Sequence, residues 1–537
     1  MGIYLNPGNE NFTEHIRAKI YVDKTMMIEV INKYMDESNK YICISRPRRF
    51  GKTITGNMLA AYYSKGCDSR QLFSDYKIAQ CEDFEEKLNK YNVIQIDMNS
   101  EYQNTADKEN LIAILSKKII KEIKDSFTNI AVEDNGSLAE TILSVYTLTQ
   151  ETFVILLDEY DILVRERVSN RLFNEYLSFL NGLFKSNTLR PAISLAYITG
   201  ILPVVRDKIQ SKLNNFREYT FINAINLAEY VGFTSKEVKN LCEQYSIDFN
   251  ECKAWYDGYK QRGIEIYNPE SVVKCIEDEQ FEGYWSKTSS YQVIADRLSQ
   301  NFQGTKDDVV RMLSGECVDV NVTSFLNTLN NFVTKDDVFT YLIHLGYLAY
   351  DYGEQTCRIP NREVRQEWIN AITALDDYKV TNKIIQDSKR LLQSTIDGDA
   401  KAVEEALDLS HIHVTSNRSY NNEDALQSAI YLAYIYALNK YMIVKEMTTG
   451  KGFADVVFIP YDSTLPAMII ELKKNKTAES AIDQIKERKY FDCLRGYMGE
   501  LLFVGINYDE NTKKHSCIIK KFVKSEGGTE PDKKAKI

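Results

Sequence analysis

The chain has 537 residues, of which 44% are hydrophobic and 26% charged, with a net charge of −10. This length exceeds one ordinary core and predicts two to four globular domains; the acidic balance argues against a generally basic nucleic-acid coat but leaves room for a local basic cleft. Ten cysteines without a C-x-x-C pair and five dispersed histidines exclude a disulfide scaffold and an obvious zinc site, and no apolar run reaches membrane-spanning length, so the reading is a soluble, cytoplasmic protein.

The most informative stretch is Tyr41-Ile42-Cys43-Ile44-Ser45-Arg46-Pro47-Arg48-Arg49-Phe50-Gly51-Lys52-Thr53. It reads as a buried strand, a tight loop, Gly-Lys-Thr and then a helix from Ile54 to Ser64. Bare backbone N–H groups and a helix N-terminus beneath one lysine and one hydroxyl make a nest for the β- and γ-phosphates of a nucleotide, with Thr53 able to hold Mg²⁺. The first glycine of the usual G-x-x-x-x-G-K-[ST] pattern is replaced by Arg46. Pro47 is expected to shape the loop instead. Arg46, Arg48 and Arg49 add three cations, which suit phosphate but also a carboxylate or a nucleic-acid backbone.

Further along, Val93 to Asp97 reads as a second apolar strand, and residues 107–148 as one long helical region. Phe153-Val154-Ile155-Leu156-Leu157-Asp158-Glu159 is a buried strand that ends in two carboxylates. In a P-loop protein Asp158 serves as a Mg²⁺ holder, and Glu159 orients or deprotonates the attacking water. Asp161 reads as a capping or supporting residue. Thr199, at the end of a fourth strand over 194–200, is a candidate γ-phosphate sensor. Arg206, Arg217 and the loop arginines are candidates to neutralise transition-state charge. Strands alternating with helices predict a mostly parallel sheet covered on both faces. Residues 235–370 look mainly helical.

The last segment changes pattern. Asp455 opens one strand, and Glu471 and Lys473 close the next; residues two apart on a strand share a face. Two carboxylates can bind a divalent metal beside a lysine that steadies the nucleophile. Glu446 or Glu423 is a candidate further ligand. The helix Ala478 to Cys493 is expected to line a cleft with Gln484 and Tyr490. Lys474, Lys476, Lys486, Arg488 and Lys489 gather cations where a nucleic-acid backbone would lie. His411 and His413 read as structural, and Lys524 to Ile537 as a disordered tail.

At these residues the chain resembles the AAA-ATPase-like proteins that carry a C-terminal PD-(D/E)XK nuclease domain. The resemblance includes Tyr21-Val22-Asp23-Lys24-Thr25, Leu157 to Asp161, Gly232-Phe233-Thr234, Trp255 to Tyr259, Tyr267-Asn268-Pro269, Gly346-Tyr347-Leu348 and Ile359 to Val364. Arg46 in place of the glycine is then a habit of such proteins. Gly452-Phe453-Ala454-Asp455 lacks the arginine that relatives carry before the acidic residue.

The resulting expectation is an α/β chain: a P-loop AAA-like domain over 1–234, a helical domain over 235–372, a restriction-endonuclease-like domain over 373–523 and a tail over 524–537. Its ligands are ATP at Arg48, Arg49, Gly51, Lys52, Thr53, Asp158 and Thr199, Mg²⁺ at Thr53 and Asp158 and at Asp455 and Glu471, and DNA at Gln484, Lys486, Lys489 and Tyr490. Catalysis is expected from Glu159, Asp455, Glu471 and Lys473. The alternative is a nucleotide-switched scaffold that grips nucleic acid or protein without cutting.

Overall fold

A computed structural model describes the chain except residues 1, 134, 205–214, 286–290, 314, 326–331, 415–429, 432, 450–451, 462–463, 491–493, 495–496, 498 and 523–537. The chain divides into two compact units, residues 1–289 with 317–364, and residues 290–316 with 365–537. The expected tail and the candidates Arg206 and Glu423 lie outside the described residues. So do the side chains of Glu446, His411 and His413.

The first unit is built on five parallel strands: β1 (Tyr41–Ser45), β2 (Asn92–Asp97), β3 (Phe153–Asp158), β4 (Ile193–Gly200) and β5 (Arg217–Tyr219). Their order is β2-β3-β4-β1-β5. Every residue of β1 and β4 is buried, as a sheet covered by helices on both faces demands. The expected parallel sheet is therefore present. The order places β4 between the phosphate-loop strand β1 and the acidic strand β3.

The helical region expected over 107–148 comprises two helices, Leu111–Ser126 and Leu138–Thr149. Gly136, at φ +81°, takes a left-handed turn in the break just before the second helix. The phosphate-loop helix spans Lys52–Tyr63, two residues earlier than expected at its start.

Within 235–364 the structure is mainly helical, as expected, but also carries two small sheets that the sequence reading missed. One joins β6 (Phe233–Thr234), β7 (Tyr259–Gln261) and β8 (Ile264–Tyr267); the other joins β9 (Val318–Asp319), β10 (Ala349–Asp351) and β11 (Thr356–Arg358). Strands of two to four residues leave no alternation long enough to read.

The second unit holds a mixed sheet of β12 (Tyr441–Thr449), β13 (Gly452–Pro460), β14 (Ala467–Lys474), β15 (Leu501–Asp509) and β16 (Lys514–Phe522), in chain order. Only β14 and β15 pair in parallel; the helix Ala478–Glu487 makes their crossover. Val456, Phe458, Met468, Ile470 and Leu472 face a core shared with the helices Lys379–Asp397 and Ala400–Val414. Val457, Ile469, Ile482 and Ile485 form the core on the other face. None of the nine described cysteines takes part in a disulfide. Among the described residues, no helix is long and apolar enough to cross a membrane.

Candidate nucleotide and metal sites

β1 ends at Ser45, and Gly51 at φ +88° turns the chain into the helix Lys52–Tyr63. That backbone conformation favours glycine, and it exposes the first N–H groups of the helix to the loop. Lys52 is buried, and its Nζ donates to the Pro47 carbonyl at 2.9 Å while standing 3.9 Å from Glu159 Oε1. Burial pushes its pKa down, against the pull of Glu159 and Asp158. The Pro47 oxygen here occupies the lysine as a phosphate oxygen would.

Asp158 collects both hydroxyls. Thr53 Oγ1 donates to Oδ2 at 2.6 Å, and Thr199 Oγ1 donates to Oδ1. Thr199 reaches it because β4 lies between β1 and β3. Burial raises the Asp158 pKa, and the two hydroxyls oppose that rise. Glu159 takes a left-handed backbone at φ +51°, unfavourable for a residue with a Cβ. Its carboxylate accepts from Arg165. Asp161 is fully buried and accepts the N–H groups of Ile201 and Leu202 at 3.1 and 2.8 Å. It pins the chain after β4, the supporting role expected of it.

Beside the loop is a cavity of about 410 Å³ whose walls include Ile20, Val22, Phe233 and Val273. Arg49, at φ +69°, pairs across it with Glu270 at 3.1 Å. Phe50 packs edge-on against Phe221 and Tyr259, with ring centroids 5.3 and 5.7 Å away.

In the second unit Asp455 lies one step beyond the Val456–Ile470 pair of β13 and β14. It therefore shares a face with Glu471, and its Oδ2 accepts the Leu472 N–H at 2.7 Å. Lys473 Nζ donates to Glu471 Oε1 at 2.8 Å, and Gln484 Nε2 donates to the same oxygen. Glu471 is 1% exposed, and its Oε2 accepts no hydrogen bond among the described residues. Burial, then repulsion from Asp455, pushes its pKa up to about 7. A buried carboxylate oxygen without a donor, beside a second carboxylate, suits a divalent cation. Among the described residues no third His, Cys, Asp or Glu joins them as a cluster.

Residues 7–210 match a family model described as a predicted AAA-ATPase, and residues 421–517 match one of the PD-(D/E)XK nuclease superfamily. The chain carries an AAA-ATPase-like region and a PD-(D/E)XK nuclease region. Over 517 residues it is 22% identical to an uncharacterized protein in the vnfD 5′ region of Azotobacter chroococcum mcd 1, covering 92% of this chain and 93% of that one. Among solved structures, the ORC2 protein of Aeropyrum pernix in ADPNP–ADP complexes aligns with a TM-score of 0.29 at 10% identity, over 66% of this chain and 97% of that one.

In the AAA-ATPase-like region two arginine expectations need correction. Arg46 does not face the phosphate site. It is buried, and its NH1 donates to Ser45 O at 2.8 Å and Tyr219 O at 2.9 Å, tying β1 to β5. Its burial lowers the guanidinium pKa to about 10. Arg217 sits opposite Ile42, before the loop begins, with its guanidinium 5.2 and 5.5 Å from the Tyr34 and Tyr219 ring centres. It packs there rather than reaching the phosphates. Arg49 lines the cavity beside the loop while pairing with Glu270, and Arg48 is exposed.

The motifs shared across 232–363 hold the fold. Gly258, at φ +113°, stands where a Cβ would lie 2.2 Å from Pro360 O. Asn361 Nδ2 donates to Asp257 O at 2.7 Å, and Tyr259 OH to Gly346 O at 2.6 Å. Buried Glu363 accepts from Ser271 Oγ at 2.9 Å and from the Trp285 N–H at 2.6 Å.

In the PD-(D/E)XK region the helix expected to reach Cys493 ends at Glu487. Lys489 follows in a left-handed turn at φ +52° and is exposed. Tyr490 is fully buried in the core beneath the helix. Its ring cannot stack on a base; its hydroxyl instead accepts from Gln484 Nε2 at 3.0 Å. Lys486 Nζ lies 5.9 Å over the Phe522 ring, and Lys474 pairs with Glu510 at 3.3 Å. Sequence reasoning missed Arg165, six positions after Glu159, because no motif singles it out, and it missed the cavity because its walls come from segments far apart in the chain.

Proposed function

We propose that residues 1–234 bind and hydrolyse ATP with Mg²⁺, and that residues 373–523 cleave DNA with Mg²⁺. The observation that carries the first half is Asp158 bridging the Thr53 and Thr199 hydroxyls, with Glu159 next to it. Lys52 would exchange the Pro47 carbonyl for a terminal phosphate oxygen, and the loop N–H groups with Arg48 and Gly51 would surround the rest. Thr53 and Asp158 would hold the cation. Thr199 would report on the γ-phosphate through Asp158. Glu159 would take the proton of the attacking water, once released from Arg165.

The orphaned oxygen of buried Glu471 beside Asp455 carries the second half. These two carboxylates would hold the cation, and Lys473 would orient the nucleophile or offset charge on the phosphate. Gln484 would keep the Glu471 carboxylate in place, while Lys486 and Lys489 would attract the DNA backbone. At both sites a bound divalent cation supplies Lewis acidity toward phosphate oxygens.

The test uses the purified full chain on plasmid, linear and single-stranded DNA, with and without ATP, Mg²⁺ and Mn²⁺. Cleavage should require the cation and disappear in Asp455→Ala and Lys473→Ala, while DNA binding survives. Equal cleavage by wild type and Asp455→Ala refutes the assignment. Binding by both without cleavage by either favours the nucleotide-switched scaffold.

A further inference from the structure

The cavity beside the phosphate loop has mostly apolar walls, among them Ala18, Ile20, Val22, Met58, Phe233 and Val273. Its polar side chains are mostly engaged. Lys24 Nζ is held by Glu237 at 2.6 Å and by the Glu229 carbonyl at 2.6 Å. Arg49 pairs with Glu270 at 3.1 Å. The Thr55 hydroxyl donates to Gly51 O at 3.0 Å. His15 differs, and it also lines the cavity.

A relay of amides sets the state of His15. Gln95 Nε2 donates to Asn57 Oδ1 at 2.8 Å, which turns Asn57 Nδ2 toward His15 Nε2 at 3.3 Å. An amide nitrogen only donates, so Nε2 must accept and the imidazole proton resides on Nδ1. A doubly protonated ring would set two donors head-on. Burial lowers the His15 pKa and favours the same neutral form. Among the described residues no acceptor meets Nδ1, which leaves one N–H donor at the wall of this cleft.

We propose that His15 selects the base of the bound nucleotide, donating its Nδ1–H to N1 of adenine. This rests on the phosphate-loop reading given above. Adenine presents unprotonated N1, N3 and N7 to such a donor. Guanine shares N3 and N7 with adenine but carries a proton on N1, so at that position the His15 N–H would meet another donor. A donor shielded from water by the bound base and left without a partner weakens binding by roughly tenfold or more.

The test is equilibrium titration of the full chain with ATP, GTP and inorganic tripolyphosphate. Wild type should prefer ATP over GTP by roughly tenfold or more. His15→Leu should bring the two affinities together while tripolyphosphate binding stays unchanged, which also reports that the variant is folded. His15→Asn, whose amide nitrogen falls near the Nδ1 position, should keep the preference. Equal ATP and GTP affinity in wild type, or an unchanged preference in His15→Leu, overturns the proposal. Tripolyphosphate binding that is lost in Lys52→Ala supports the phosphate loop independently of the base. If wild type binds none of the three ligands, the phosphate-loop reading falls and the base assignment falls with it.

Discussion

The Thr53 hydroxyl donates to Asp158 Oδ2 at 2.6 Å, although 105 positions separate the two residues in the chain. One is the first hydroxyl of the phosphate-loop helix, and the other closes the acidic strand β3, which β4 separates from β1. Their contact marks where a cation would be shared. In Thr53→Val the shape is nearly kept and the hydroxyl is lost. Nucleotide affinity in EDTA should change little, while the gain on adding Mg²⁺ should largely vanish. Calorimetric titration with and without Mg²⁺ checks this, and an undiminished Mg²⁺ effect would move the cation elsewhere.

Glu159→Gln removes a base and leaves the shape. Turnover of ATP should fall by about 10²–10⁴-fold, the usual contribution of a positioned general base, while nucleotide stays bound. The Gln side chain also loses its charge partner Arg165, so the variant's binding constant must be measured beside its rate. Unchanged turnover would take the base role away from Glu159.

Glu471 has its pKa pushed up to about 7, so the cation and a proton compete for the same carboxylate. Below that pH the protonated form dominates, and apparent Mn²⁺ affinity should fall by about tenfold per pH unit with uptake of one proton on release. Above it the affinity should level off. The sign for stability without cation is the reverse of the usual carboxylate. The folded state holds the proton more tightly than the unfolded chain, so this group's contribution to stability declines as pH rises from about 4.5 to about 7. Mn²⁺ titrations between pH 5.5 and 8.5 test the assignment; a flat profile would contradict it.

Gly258→Ala should destabilise the first unit by about 3 kcal/mol or more, because a left-handed backbone and a Cβ 2.2 Å from Pro360 O act together. Thermal unfolding followed by circular dichroism measures the loss. A shift within error would show that the turn can relax.

Much of this was legible from local chemistry. The run Tyr41–Ser45 could only be a buried strand, Gly51-Lys52-Thr53 could open a helix beneath a phosphate, and Phe153–Asp158 had to carry its carboxylate to a sheet's end. Glu471 and Lys473 were readable for the same reason, since strand alternation puts residues two apart on one face; that Asp455 joins them follows from the register of β13 on β14. What stayed hidden depends on neighbours far away in the chain. Arg46 looked like a phosphate ligand because its type suits one; only the closeness of Tyr219 O and Ser45 O shows a buried tie. Tyr490 looked like a cleft residue until the helix stopped at Glu487 and the ring turned into the core. His15 carried no signal at all, since its proton is directed by Asn57 and Gln95, from a helix and a strand that meet it only in the folded sheet. Local sequence determines backbone form, periodicity and the chemical type of each side chain. The direction of a long or titratable side chain is decided by burial and hydrogen bonding, which exist only once the distant segments have packed.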